Sequence, residues 1–80
     1  METIGRHIVV EFYDCNASIL DDRDAIEALM LASAKASCTS VVGHIFHKFA
    51  PHGVSGTVVI AESHLSIHTW PEARYASADV

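Results

Sequence analysis

The first hydrophobic stretch of the chain has a pattern typical of a short strand. β-Branched and aromatic residues dominate residues 7–13, and the turn formers Asp14, Asn16 and Ser18 follow. The first group of residue types favours strands and the second favours turns. The pattern therefore predicts a first strand followed by a loop.

One amphipathic helix is predicted next. Asp21 or Asp22 provides an N-cap, and acidic residues follow in the first turn, where the helix dipole favours negative charge. The positions that recur at helical spacing are Ile26, Leu29, Met30 and Ser33. We predict a helix over about residues 22–37, with its apolar stripe packed against a sheet.

A hairpin of two further strands is predicted after the helix. Residues 39–49 have strand-like composition. Alternation assigns one face of this strand to Val41, Ile45 and Phe49, and the other to His44, Phe46 and Lys48. Residues 51–56 supply turn formers, and residues 57–61 form a short β-branched run typical of a well-buried strand.

A fourth strand is indicated by clear alternation over residues 64–70. Leu65 and Ile67 lie on one face of it, and Pro71 ends it. The other face carries His64, Ser66, His68 and Trp70. Residues 75–80 can begin one more strand. The β-α-β-β-β order predicts an α+β fold, a two-layer α/β sandwich with an antiparallel sheet and the helix on one face, in a single domain of residues 1–80.

Composition indicates that this domain associates with a partner. Apolar residues make up 50% of the 80 residues and charged residues 19%, against about 25% charged in typical globular chains. A chain this short buries only about 60–65% of its unfolded surface, so association or a covalent staple usually stabilises it. We therefore predict an oligomer in which apolar surface faces a partner.

Charge and cysteine content exclude several classes of protein. The net charge of −5 has the wrong sign for binding a phosphate backbone, so nucleic acid is excluded as a partner. Cys15 and Cys38 make a poor disulfide framework, which favours a reducing cytoplasm. Without a basic N-terminal region or an apolar run near the roughly 18–20 residues of a membrane span, we expect an untargeted cytoplasmic protein with no membrane partner.

Reactive side chains are concentrated between Ser55 and Glu72. Within this stretch Ser63 and His68 can act as a nucleophile and its general base, because a serine hydroxyl is inert until a neighbour takes its proton. A polar strand face without a catalytic role explains the same residues. Spacing alone leaves both interpretations open.

Other polar residues have simpler interpretations. The histidines His44, His47, His52 and His64 lack the spacing of a metal site, so we expect no metal. Glu11 either approaches a site or is an acid on an edge strand. Cys15 and Cys38 are expected to be small buried hydrophobic residues.

Residues 62–72 have the sequence Glu-Ser-His-Leu-Ser-Ile-His-Thr-Trp-Pro-Glu. This segment resembles the self-cleavage segment of the short prokaryotic S-adenosylmethionine decarboxylase proenzymes. Residues 5–7, 11–13, 46–49 and 51–56 also resemble that family, so the similarity covers nearly the whole chain.

The resemblance implies an enzyme that makes its own cofactor. In this family the serine hydroxyl attacks the preceding carbonyl, and elimination then cuts the chain and leaves a pyruvoyl group. Carried onto this sequence, the cut falls between Glu62 and Ser63. It gives a β chain of residues 1–62 and an α chain that begins at residue 63. His68 is the implied proton acceptor for processing, and Ser55 assists it.

The implied reaction is the decarboxylation of S-adenosylmethionine to S-adenosylmethioninamine for spermidine synthesis. The pyruvoyl carbonyl forms a Schiff base with the substrate amine and withdraws electrons as the carboxylate leaves. Phe49 and Trp70 resemble the aromatic pair that holds the base, and Glu72 resembles the acid that binds the ribose hydroxyls.

Strand geometry provides an independent argument for a homodimer. Ser63 and His68 are five residues apart, so on one continuous strand they point to opposite faces, about 17 Å apart. Either the chain turns sharply at residues 62–63, or the His68 that serves a given Ser63 belongs to another copy. We favour the second interpretation, a homodimer of processed protomers with shared active sites.

One departure from the family pattern limits the resemblance. The family's proton donor for decarboxylation is a cysteine just downstream of Val80, a position that the chain does not reach, and we expect the chain to be truncated. Two alternatives remain. One is a pyruvoyl-dependent arginine decarboxylase on the same scaffold, and the other is an inactive dimerisation partner of a full-length homologue.

Overall fold

Five antiparallel strands form one sheet in the computed structural model, which describes residues 8–37, 40–61 and 63–80. The strands are β1 (Val9–Phe12), β2 (Val41–Lys48), β3 (Val54–Ile60), β4 (Ser63–Trp70) and β5 (Tyr75–Asp79). They lie in the order β1-β5-β4-β3-β2, so β4 and β5 are both interior strands. The helices are α1 (Ala17–Leu20), α2 (Arg23–Ala36) and a 3-10 helix at Pro71–Ala73.

Helix α2 confirms the predicted helix. The side chain of Asp22 accepts a hydrogen bond from the backbone N–H of Ala25 at 3.1 Å, which caps the first turn. Asp24 in the first turn and Lys35 in the last turn both complement the helix dipole. No helix in the described part of the chain is long and apolar enough to cross a membrane.

The core lies between the helices and one face of the sheet, which confirms the predicted two-layer sandwich. Its buried residues are Leu20, Ile26, Met30 and Ala34 from the helices, and Phe46, Val54, Val58, Ile67 and Ala76 from the sheet. Burial of each large apolar side chain contributes about 1.5–3 kcal/mol relative to exposure. The predicted core role of Met30 is therefore confirmed.

Two elements differ from the prediction near the first loop. The residues predicted as a loop include α1, which Asn16 caps by accepting the N–H of Ile19 at 3.2 Å and which buries Leu20. Four residues are too few for a helical period to be visible in the sequence. The predicted strand over residues 7–13 is shorter, and residue 7 lies outside the described residues.

The predicted turn over residues 51–56 is also too long. β3 begins at Val54 and pairs with β2 from there onward. Gly56 lies inside this strand, and the position requires glycine because a Cβ there would clash with the ring of Phe46 on the paired strand. Val59 is 43% exposed, so β3 is buried on one face and not on both.

The predicted faces of β2 are wrong at its first residue. The register shifts between Val41 and Gly43, which is a β-bulge or irregularity. As a result Val41 packs against the core, whereas Ile45 is 73% exposed on the opposite face. A single inserted residue reverses which face the following side chains occupy.

An apolar groove with a volume of about 260 Å³ lies on the helix side of the sheet. Val10 and Phe12 from β1, Leu29 from α2 and Val80 are exposed along it. This surface is separate from the face of the sheet that α2 leaves uncovered, which we call the open face.

Candidate active site

A row of polar side chains crosses the open face. The strand registers pair His47 with Ser55, Ser55 with His68, His68 with Ser77, and Ser77 with Glu11. Directly paired residues of antiparallel strands point to the same face of a sheet. These five residues, which we call the polar row, therefore lie side by side across all five strands.

The structure brings two of the predicted processing residues into contact. The Ser55 hydroxyl oxygen and His68 Nδ1 are 2.8 Å apart, a hydrogen bond whose donor depends on the imidazole tautomer. His68 is exposed and Ser55 is half-buried. The contact fixes the orientation of the imidazole, as a proton-transfer role requires.

Ser63 and His68 are not brought together within one chain. Ser63 is exposed at the start of β4 and pairs with Ile60, whereas His68 pairs with Ser55 further along the same uninterrupted strand. The odd offset of five residues puts the two side chains on opposite faces, about 17 Å apart. Glu62, the residue on the N-terminal side of the predicted cut, lies outside the described residues.

Phe49 and Trp70 flank a slot at one end of the polar row. Phe49 donates its backbone N–H to the carbonyl of Gly53 at 2.8 Å. Continuing the registers by two residues beyond Ser55 puts Gly53 between Phe49 and Trp70. Two strands that are separated by a third lie about 9–10 Å apart, and Gly53 has no side chain to fill the space between Phe49 and Trp70. We call these three residues the aromatic slot.

Each of the two rings of the slot contacts a neighbouring aromatic side chain. The Phe49 side chain contacts His47, with ring centroids 4.6 Å apart, and Trp70 contacts Tyr75 at 5.3 Å. Both Phe49 and Trp70 remain exposed, at 45% and 43%. Exposed aromatic rings of this kind can stack with a flat ligand ring.

Tyr75 and Glu11 form a second polar group beside the slot. The Tyr75 hydroxyl donates a hydrogen bond to Glu11 Oε1 at 2.5 Å, and this bond is the largest cause of a raised Tyr75 pKa. Tyr13 packs on Tyr75 with ring centroids 5.2 Å apart. Sequence reasoning missed Tyr75 and left Glu11 open, because the pairing of β1 with β5 joins opposite ends of the chain.

Glu72 lies in a different position from the other predicted binding residues. It is exposed in the 3-10 helix after Trp70 and lines a cavity of about 300 Å³. The other lining residues are Ala17, Ser18, Asp21, His52 and Pro71. Glu72 therefore lies just beyond the end of β4 and outside the polar row.

His44 and His52, which lie outside the polar row, are each close to a carboxylate. His44 Nδ1 contacts a Glu27 carboxylate oxygen at 2.9 Å, and His52 Nδ1 lies 3.7 Å from Asp21 Oδ2. Within residues 8–37, 40–61 and 63–80 no group of three His, Cys, Asp or Glu side chains is arranged to hold a metal ion. Cys15 is half-buried against the core, and Cys38 lies outside the described residues.

Comparison with known proteins identifies similar sequences along the whole chain. A family model described as S-adenosylmethionine decarboxylase matches residues 6–80. The S-adenosylmethionine decarboxylase proenzyme of Thermosipho melanesiensis is 55% identical over 80 residues, which is 100% of this chain and 62% of that relative. The proenzyme of Acetivibrio thermocellus is also 55% identical, over 100% of this chain and 64% of its own length.

A solved structure has the same fold. The crystal structure of the adenosylmethionine decarboxylase from Aquifex aeolicus VF5 superimposes with a TM-score of 0.87 at 36% sequence identity. The match covers 92% of this chain and 61% of that one. The chain thus spans a little under two thirds of the length of these relatives.

Proposed function

The chain belongs to the S-adenosylmethionine decarboxylase family, and from that membership we propose that it is a self-cleaving proenzyme that generates a pyruvoyl group at Ser63. The proposed activity is decarboxylation of S-adenosylmethionine to S-adenosylmethioninamine for spermidine synthesis. The observation that carries the proposal is the Ser55–His68 hydrogen bond, on the same face as the aromatic slot.

Self-cleavage starts at the Ser63 hydroxyl. Its oxygen attacks the carbonyl carbon of residue 62, so the peptide bond becomes an ester and the Ser63 nitrogen becomes an amine. Loss of the Cα proton of residue 63 then breaks the Cβ–O bond and releases the carboxylate of residue 62. Hydrolysis of the remaining enamine releases ammonia and leaves the pyruvoyl group. Ser63 fits this chemistry because it carries a β-hydroxyl, is exposed, and begins a strand.

His68 is the proposed acceptor for the protons of these steps. A neutral imidazole is suited to proton transfer near neutral pH, and the Ser55 hydroxyl holds its Nδ1 at 2.8 Å. Because Ser63 and His68 lie on opposite faces of one strand, we propose that His68 from one chain serves Ser63 of a second copy. The assembly is then a homodimer with two equivalent shared sites.

The fold supports cleavage without dissociation. A cut between residues 62 and 63 separates β4 and β5 covalently from the rest of the chain. β4 nevertheless lies between β3 and β5, and β5 lies between β4 and β1, so both strands are hydrogen-bonded on each side. The two fragments are expected to remain one folded unit.

The aromatic slot is the proposed site for the adenine ring of the substrate. Phe49 and Trp70 stack on its two faces, and Glu72, at the same end of the sheet, accepts hydrogen bonds from the ribose hydroxyls. A pyruvoyl carbonyl supplies the electron sink for decarboxylation once the substrate amine is bound to it. The exposed aromatic rings also favour the positive sulfonium group of the substrate.

A decarboxylation assay tests the substrate. Release of labelled carbon dioxide is measured with carboxyl-labelled S-adenosylmethionine and, in parallel, with carboxyl-labelled arginine, for the unsubstituted chain and for Ser63→Ala. We expect release from S-adenosylmethionine only, and none from Ser63→Ala. Release from arginine alone contradicts the proposed substrate, and release by Ser63→Ala contradicts the pyruvoyl mechanism.

A further inference from the structure

Asp21 connects the helix layer to the turn between β2 and β3. It lies at the C-terminal end of α1, between the two helices. Its Oδ1 accepts the backbone N–H of Gly53 at 2.8 Å and contacts Lys48 Nζ at 3.0 Å. These two contacts lower the pKa of Asp21, so the carboxylate is charged at neutral pH.

Both residues held by Asp21 in turn hold the backbone of Phe49. The Phe49 N–H donates to the Gly53 carbonyl at 2.8 Å, and Lys48 Nζ donates to the Phe49 carbonyl at 3.0 Å. A closed ring of hydrogen bonds therefore runs from Asp21 through Gly53 and Phe49 to Lys48 and back. The Asp21 carboxylate, on the helix side of the sheet, therefore holds two of the three residues of the aromatic slot, Phe49 and Gly53.

A second connection holds the same part of the structure. The buried Thr69 hydroxyl donates to the Leu20 carbonyl at 2.7 Å and accepts the Val54 N–H at 2.8 Å. Thr69 thus fastens the residue before Asp21 to the residue after Gly53. Because the turn stays attached through Thr69, loss of Asp21 is expected to loosen the slot without detaching the turn.

We propose that Asp21 is a positioning residue that holds Phe49 and Gly53 so that the aromatic slot is formed before the adenosyl group of the substrate binds. The inference rests on the proposed function of the slot. A side chain fixed before binding loses less conformational entropy when the ligand arrives, which strengthens binding. Asp21 acts through Phe49 and Gly53, whose backbones are held by this ring of hydrogen bonds.

The test measures adenosine binding and amide hydrogen exchange in the whole chain. The variants are Asp21→Ala, which removes all contacts, and Asp21→Asn, which keeps an oxygen acceptor for Gly53 but removes the charge opposite Lys48. Asp24→Ala is the matched control, because Asp24 is a carboxylate 89% exposed on α2 that contacts Arg23. Circular dichroism verifies that each variant is folded.

We expect Asp21→Ala to weaken adenosine binding at least tenfold and to speed amide exchange at Phe49 and Gly53 at least tenfold, with exchange at Val58 unchanged. Asp21→Asn should show a smaller change in both, and Asp24→Ala should stay within twofold of the unsubstituted chain. If Asp21→Ala does not fold, the same comparison is made with Asp21→Asn.

Two results overturn the inference in different ways. A folded Asp21 variant with unchanged adenosine binding and unchanged exchange at Phe49 and Gly53 shows that Asp21 does not position the slot, while the proposed function stands. An unsubstituted chain that does not bind adenosine contradicts the proposed use of the slot, and the inference fails with it.

Discussion

His68 is the residue proposed to accept the protons of self-cleavage. Positioned general bases contribute about 10²–10⁴-fold to rate. We therefore expect His68→Ala to slow cleavage at Ser63 by at least about 10²-fold, measured by intact mass over time. His64→Ala is the matched control, because His64 is an exposed histidine on the same strand and face. Equal slowing by both variants contradicts a specific role for His68.

The hydrogen bond of Tyr75 predicts how the stability of the fold changes at high pH. This hydrogen bond, to Glu11, raises the pKa of Tyr75 above the usual value of 10.0. A pKa raised by folding adds stability that is fully present below pH 10.0 and is lost as the pH rises through the folded-state pKa. In Glu11→Gln we expect the Tyr75 pKa to fall toward 10.0, as followed by tyrosinate absorbance.

The assignment of that titration needs its own control. Tyr75→Phe should remove the high-pH transition, whereas Tyr13→Phe should retain it. An unchanged transition in Glu11→Gln contradicts the view that the carboxylate raises the Tyr75 pKa.

Individual site residues differed in how far the sequence could locate them. Alternation along β4 is regular, so the shared face of His68 and Trp70 followed from the sequence. The Ser55–His68 contact needed the resemblance, since it depends on the register of β3 with β4. Tyr75 and Glu11 are 64 residues apart, and no local pattern reports their contact.

At the scale of elements, length decided what the sequence could predict. α2 has 14 residues and β4 has 8, so each repeats its period enough to be recognised. α1 has 4 residues and exists because Asn16 caps it and Leu20 is buried. The start of β3 was misplaced because the turn formers of residues 51–56 extend into the strand.

Substitution of Thr69 tests how the end of α1 is joined to the sheet. Thr69→Val leaves the buried Leu20 carbonyl and Val54 N–H without their hydroxyl partner. An unpaired buried polar group costs about 1–3 kcal/mol, so we expect the free energy of unfolding to fall by about that amount in urea titrations. Thr57→Val, which loses only a 3.4 Å contact with Ser66, should change it by less than about 0.5 kcal/mol. Equal effects contradict this account.

For the whole molecule, low charge and short length predicted a partner, and the described residues expose apolar side chains on both sides of the sheet. One side, the helix side, has the groove along Val10, Phe12 and Leu29. The other is the open face, where Ile45 and the rings of the aromatic slot are exposed. Since His68 lies on the open face and Ser63 points to the opposite one, Ser63 of one copy has to reach the open face of the other in a dimer that shares active sites. The partner itself stays a prediction.

Mixed variants test the shared site. Ser63→Ala lacks the nucleophile and His68→Ala lacks the base, so neither should cleave alone. When the two chains are co-expressed in equal amounts, about half of the His68→Ala chains should enter mixed dimers and be cut there, because a two-fold dimer pairs Ser63 of one copy with His68 of the other. Absence of any cleavage in the mixture contradicts the shared site.

The most direct test of the central claim is the intact mass of the purified, unsubstituted chain. The proposed function predicts two fragments, residues 1–62 and residues 63–80, and an α fragment lighter than its serine-initiated form by one ammonia. That deficit identifies the pyruvoyl group. A single uncut species that retains Ser63 contradicts self-processing of this chain.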